Sequence, residues 1–156
     1  MNSQYSHYAA TSEVSQFNQH ASNEWFQASH ELVEIVELAH AVSHRSSGAF
    51  DITIAPAVNA WGFGPSQSTL PPDSEALNRS RADTSYLSLL TRHSPAGLRK
   101  LKPELEIDLS AIAKGYAVDQ IAFMLEFAGI KNFIVEIGGE LRVAGMRTDT
   151  KPWRVG

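Results

Sequence analysis

A chain of 156 residues, 43% hydrophobic and 19% charged, is long enough to bury a real core and ordinary in composition for a globular protein. A formal net charge of −4 without a Lys/Arg cluster argues against a nucleic-acid groove or an anionic membrane as main partner. The lack of cysteine excludes disulfides, thiol catalysis and Cys-ligated zinc, and no apolar run approaches the length of a membrane span.

Residues 11–19 read as a short helix entered at Thr11 or Ser12, with Val14 and Phe17 on one face. Residues 24–28 form a short extended connection. From Ser29 as N-cap, an amphipathic helix turns Leu32, Ile35, Val36, Ala39 and Val42 inward, and Gly48 closes it. Pro56 suits the first turn of the next helix, which Gly62 and Gly64 end early. Residues 71–82 suggest a short polar helix behind two prolines.

Residues 86–90, 97–102 and 104–109 alternate apolar and polar as half-buried strands do, with Pro95, Ala96 and Gly97 connecting the first two. A long apolar-periodic helix then starts near Ser110 and runs to Gly129. Residues 132–137 read as a strand, Gly138 and Gly139 as a tight turn or bulge, 140–145 as the hairpin partner, and 153–156 as a third edge. There is no internal repeat. The class is mixed α+β, a largely antiparallel sheet with packed helices. The final residues alternate like a strand just begun, and the first ten lack the capping logic of a domain terminus. The chain reads as a piece of something longer.

Two stretches concentrate chemistry. In "IDLSAIAKGYAVDQI", Asp108 is followed by Ser110, Ala111, Ala113, Lys114 and Gly115. Small residues at a helix start let a ligand approach unpaired N–H groups, which favour anions. Taken singly, Asp108 or Ser110 would simply cap the helix. In "SGAFDITIAPAVNAWGFGP", Gly48, Ala49, Phe50 and Asp51 combine small residues, an aromatic and a carboxylate where a helix has just ended. Trp61 and Phe63, taken alone, read as core. His40 and His44 have the i,i+4 spacing of a metal pair, but no general base stands between them, and the macrodipole favours histidine in a last turn anyway. No Ser-His-Asp arrangement, P-loop or dinucleotide fingerprint is present.

Together with "SxY…SEVSQFN" and "IVEIGGELRVAG…PWRVG", in that order and spacing, these stretches resemble the FAD:protein FMN transferases, the ApbE-like family long labelled thiamine-biosynthesis lipoproteins. The resemblance covers nearly the whole chain. It implies an enzyme that binds FAD, uses Mg2+ to split the pyrophosphate, transfers FMN to a Ser/Thr hydroxyl in the flavinylation motif of an acceptor protein, and releases AMP. With water in place of the acceptor, the same site would be a Mg2+-dependent FAD pyrophosphatase. A flavin-binding piece without catalysis is the other alternative.

By position, the resemblance implies FAD contacts at Tyr8 (with Tyr5 the competing register), Ala49, Phe50, Asp51 and Asp108, with Ala49, Phe50 and Asp51 expected to converge on the cleft of Asp108, Ser110 and Ala111. It implies a metal contact through the carbonyl of Ala111, a hard oxygen donor suited to Mg2+. Lys114 and the Gly138 and Gly139 turn lie close by in the pattern without an assigned role, and no catalytic residue is assigned. Family members begin earlier, with a lipoprotein or secretion signal, and continue into a segment that completes the metal site. Residues 1–156 are therefore expected to be a partial flavin transferase domain, inactive by itself. The family setting is periplasmic or an inner-membrane lipoprotein, with membrane contact only through an anchor this sequence does not contain.

Overall fold

A computed structural model describes Ala9 and residues 11–64, 71–147 and 150–155. The class is mixed α+β with antiparallel sheets, and the chain divides into two compact units, Met1–Ala111 and Ile112–Gly156.

The first unit opens with α1, Glu13–Gln19, capped by Ser12, whose hydroxyl accepts from Ser15 N at 2.9 Å. Val14 and Phe17 are fully buried, as their spacing predicts. After the short strand β1, Phe26–Gln27, the long helix α2 covers His30–Arg45 and is capped by Ser29. Glu13 holds that cap in turn, accepting from the Ser29 hydroxyl at 2.7 Å and from Ser29 N. The buried face of α2 is Leu32, Val33, Ile35, Val36 and Ala39. Val42 is exposed, contrary to expectation, and Ser43 lies inward with its hydroxyl on Ala39 O at 2.9 Å. The reason is geometric: Ser43, not Val42, continues the Leu32, Val36, Ala39 stripe at helical spacing.

Gly48 closes α2 through paired bonds, Gly48 N to Ser43 O at 2.8 Å and Ser47 N to His44 O at 3.2 Å. Ser47 and Gly48 both have positive φ, which turns the chain sharply into residues 49–51. A 3-10 turn, Ile52–Ile54, leads into α3, Ala55–Ala60, with Pro56 in its first turn. The polar helix α4 covers Ser74–Asp83, with Asp73 as its cap. Trp61 and Phe63 are exposed rather than core.

Strands β2, Leu89–His93, and β3, Ala96–Lys100, form a hairpin, and β1 adds to β3 for the sheet order β1-β3-β2, antiparallel throughout. Residues 86–88 form a 3-10 turn instead of the expected strand start, and β3 begins at Ala96, one residue before the expected start at Gly97. Gly97 is needed there: a Cβ would meet Phe26 O at 2.8 Å, so any side chain would push β1 off the sheet.

Residues 105–109 join no sheet. Leu105, Ile107 and Leu109 are all fully buried, so the alternation reports burial on one side rather than a ladder. A side chain and a loop carbonyl meet its backbone needs instead: Ile107 bonds Asn18, and Asp108 N donates to Ile52 O at 2.7 Å.

In the second unit, helix α5 begins at Ala113, not near Ser110, and ends at Phe127. It packs on a hairpin of β4, Phe133–Ile137, and β5, Glu140–Ala144. Val118, Ala122, Phe133 and Val135 form its core. Arg142 ties sheet to helix, bonding Asp119 at 3.0 Å and Glu126 at 3.1 Å while lying 4.6 Å over the Phe123 ring. Residues 153–155 do not form the expected strand. A single bridge joins Met146 and Pro152, and Trp153 Nε1 donates to Ala144 O at 2.8 Å. No helix among the described residues is long and apolar enough to cross a membrane.

Candidate functional site

A cavity of about 390 Å3 opens in the first unit, lined by residues 48–52, Ile54, Thr84, Asp108, Ser110 and Ala111. That size is at the low end of the ~300–1,000 Å3 usual for ligand pockets, so a dinucleotide would place part of its length in it.

The first wall is the turn after α2. Asp51 faces the protein as much as the cavity: Oδ1 accepts from Thr53 N at 2.8 Å and from the Thr53 hydroxyl at 2.7 Å, and Oδ2 accepts from Tyr86 N at 2.9 Å. Its carboxylate is thus a scaffold, capping the 3-10 turn and anchoring residues 84–86 beside it. Phe50 N donates to the Ser46 hydroxyl at 3.0 Å, which fixes the peptide between Ala49 and Phe50.

The opposite wall is the turn after residues 105–109. Asp108 Oδ1 accepts from Ser110 N at 2.8 Å, an Asx turn that bends the chain and exposes Ser110 and Ala111. The bond from Asp108 N to Ile52 O joins the two walls directly. Behind them, Asn59 Nδ2 donates to Glu106 at 3.1 Å.

Of the residues singled out from sequence, Ala49, Phe50, Asp51, Asp108 and Ala111 all line this one cavity. Tyr8 lies outside the described residues. Sequence reasoning missed Ile52, Ile54 and Thr84 on the wall, and Thr53 behind it. Thr84 follows a polar helix with no motif around it. Thr53 had a usable signal, an Asp-x-Thr spacing suited to a side-chain-capped turn. Lys114 sits within the second unit, its ammonium 3.0 Å from Glu140 and 3.4 Å from Gly138 O. The Glu140 carboxyl is held below its ordinary pKa chiefly by that hydrogen bond from Lys114.

His40 and His44 both face Tyr86, with ring centroids at 6.3 Å and 5.1 Å. Burial holds the His40 imidazole below its ordinary pKa, with His44 adding to the effect and Asp51 and Glu37 opposing it. Among the described residues no group of three or more His, Cys, Asp or Glu is arranged to hold a metal. The residues on this wall carry oxygen donors, the Ala111 carbonyl, the Ser110 hydroxyl and the Asp108 carboxyl, whose Oδ1 already accepts from Ser110 N. That donor set fits Mg2+, which commonly takes one or two carboxylates and completes its shell with water and phosphate oxygens.

The whole chain, residues 1–156, matches the family model described as the ApbE family. It is 44% identical over 156 residues to an FAD:protein FMN transferase of Vibrio cholerae serotype O1, covering 99% of this chain and 46% of that one. The solved structure of the flavin transferase ApbE from Vibrio cholerae superposes with a TM-score of 0.91 at 44% identity, over 99% of this chain and 50% of that one. The apo form of the Pseudomonas stutzeri flavinyl transferase ApbE does so with a TM-score of 0.92 at 34% identity, over 99% and 51%. The chain therefore spans about half the length of the relatives it matches. Two motifs distant in sequence that share one cavity, a family model matched from end to end, and the superposition together establish that the chain belongs to the ApbE family.

Proposed function

We propose that this cavity binds part of FAD, and that the whole protein transfers FMN from FAD to a Ser/Thr hydroxyl of an acceptor protein, releasing AMP with the help of Mg2+. The observation that carries the reading is the bond from Asp108 N to Ile52 O at 2.7 Å, which draws two motifs far apart in sequence onto one cavity. The Vibrio cholerae relative, an FAD:protein FMN transferase, supports it.

In this reading the acceptor oxygen attacks the phosphorus of the FMN half. The P–O bond to the AMP half breaks, AMP leaves with the bridging oxygen, and the hydroxyl proton passes to a base. Exposed Ala49, Ser110 and Ala111 leave backbone open to phosphate oxygens, and half-buried Phe50 offers an apolar edge. The Asp51 scaffold keeps that wall in place. The Ala111 carbonyl and Asp108 would hold Mg2+, and the bound ion would supply charge neutralisation on the pyrophosphate.

The test is incubation of the whole protein with FAD, Mg2+ and an acceptor protein, followed by intact-mass measurement. An adduct of FMN mass on the acceptor, with free AMP and sensitivity to EDTA, is the expected result. Free FMN and AMP without an adduct would make the protein a pyrophosphatase instead. Neither product would contradict both. The same reading places the whole protein in the periplasm or on the inner membrane as a lipoprotein, which cell fractionation tests.

A further inference from the structure

We propose that Thr53 is a positioning residue for this cavity, the clamp whose hydroxyl fixes residues 49–51 against residues 84–86. The proposal rests on the reading of the cavity as an FAD site. Thr53 is fully buried and touches the wall from behind. A buried hydroxyl must spend its hydrogen-bonding capacity inside the protein, so its partners are informative. The Thr53 hydroxyl donates to Asp51 Oδ1 at 2.7 Å and accepts from Ser85 N at 2.8 Å. Its N–H reaches the same Asp51 oxygen at 2.8 Å, while the Thr84 hydroxyl, 3.3 Å from the Thr53 carbonyl, donates to Ser80 O at 2.8 Å.

Asp51 completes the clamp by accepting from Tyr86 N at 2.9 Å. Two adjacent amides, Ser85 and Tyr86, therefore end on the Thr53 and Asp51 pair. Neither amide has a strand partner there, because residues 86–88 form a 3-10 turn. Without the hydroxyl, Ser85 N would be left unpaired and Asp51 would lose one of its three donors. The wall that carries Ala49 and Phe50 would then be joined to residues 84–86 chiefly by the remaining bond from Tyr86 N to Asp51. An apolar isostere keeps the packing and removes only this link.

The experiment compares Thr53→Val, Thr53→Ser and the control Ser43→Ala in the 156-residue chain. Ser43 is also fully buried, but its hydroxyl bonds Ala39 O within α2. Each variant is measured for thermal midpoint, FAD affinity by flavin fluorescence, and amide exchange at Ser85 and Tyr86. Thr53→Val is expected to weaken FAD binding about tenfold and to speed exchange at both amides by at least about that factor, as loss of a buried hydrogen bond does. Thr53→Ser should stay within about twofold of the parent on both, since it keeps the hydroxyl. Ser43→Ala should lower the midpoint comparably while leaving FAD affinity unchanged. Unchanged FAD affinity in Thr53→Val, at a midpoint as low as that of Ser43→Ala, would reduce Thr53 to ordinary packing and overturn the proposal. Failure of the parent chain to bind FAD is a different result. It would remove the flavin reading, and exchange would still decide the clamp: faster at Ser85 and Tyr86 in Thr53→Val upholds it, unaltered overturns it.

Discussion

Asn18 pairs with Ile107 as a neighbouring strand would: its Nδ2 donates to Ile107 O at 2.9 Å, and its Oδ1 accepts from Ile107 N at 2.8 Å. Through this one side chain, α1 holds the segment that delivers Asp108 to the cavity. The arrangement replaces a sheet ladder with a single amide whose two ends match the donor and acceptor of one peptide residue.

Replacing Asn18 by Ala would strip both backbone groups of a fully buried residue of their partners. We expect a loss of about 2–4 kcal/mol in urea unfolding, since each unpaired buried group costs ~1–3 kcal/mol. Asn18→Asp keeps the acceptor but sets a carboxylate oxygen against Ile107 O, so it should also destabilise. A loss under about 0.5 kcal/mol for Asn18→Ala would mean that water or another group satisfies Ile107.

The hairpin turn of the second unit depends on backbone conformation. Gly138 and Gly139 have φ of +58° and +96°, and a Cβ on Gly138 would meet Lys114 Cδ at 3.2 Å. Gly138→Ala should cost about 1–2 kcal/mol, because a side chain must adopt the left-handed region there. Gly138→Asn should cost less, since asparagine is the preferred first residue of such a two-residue turn. Thermal unfolding of the two variants gives the order directly.

His40 links stability to acid. Its pKa is lowered in the folded state by burial first and by His44 second. Below the ordinary imidazole pKa the unfolded chain binds the proton more readily, so stability must fall as pH drops. It is fully present above about pH 6.5 and declines as pH falls toward the folded value. The difference between the parent and His40→Gln, followed by urea midpoint from pH 7 to pH 5, should show the parent losing more. Parallel curves would place no proton linkage on His40.

Lys100 produces the opposite end of the profile. Its side chain is fully buried, with the ammonium on Asn18 O at 3.0 Å and 4.9 Å from the Phe17 ring centre, and burial lowers its pKa to about 8. Between about pH 8 and its ordinary value of 10.5 the unfolded chain holds the extra proton, so this group raises stability as pH rises through that window. Below about pH 8 the penalty for burying the charge is fully present. Lys100→Met should abolish the alkaline rise relative to the parent. A rise of equal size in both would assign it to other groups.

Much of the fold could be read from the sequence because its helices announce their ends. Ser12, Ser29 and Asp73 each cap a helix with a side-chain oxygen on a first-turn amide. The convergence of Ala49, Phe50 and Asp51 with Asp108 and Ala111 was also expected, from the resemblance rather than from periodicity. Alternation misled at residues 105–109, because buried side chains on one face look the same whether the backbone pairs with a strand or with Asn18. It misled again at residues 153–155, where Trp153 is placed by one indole bond. Val42 shows a different failure, an apolar residue just off the stripe that Ser43 occupies. Thr53 and Thr84 stayed hidden because their roles depend on partners distant in sequence, which no local pattern displays.

The most direct test of the account is to titrate FAD into the 156-residue chain and follow its backbone amide resonances. The account predicts shifts concentrated at residues 48–54, 84–86 and 108–111, reduced by Asp108→Ala. Shifts centred on the β4 and β5 hairpin or on α4, with residues 48–54 and 108–111 unmoved, would contradict it.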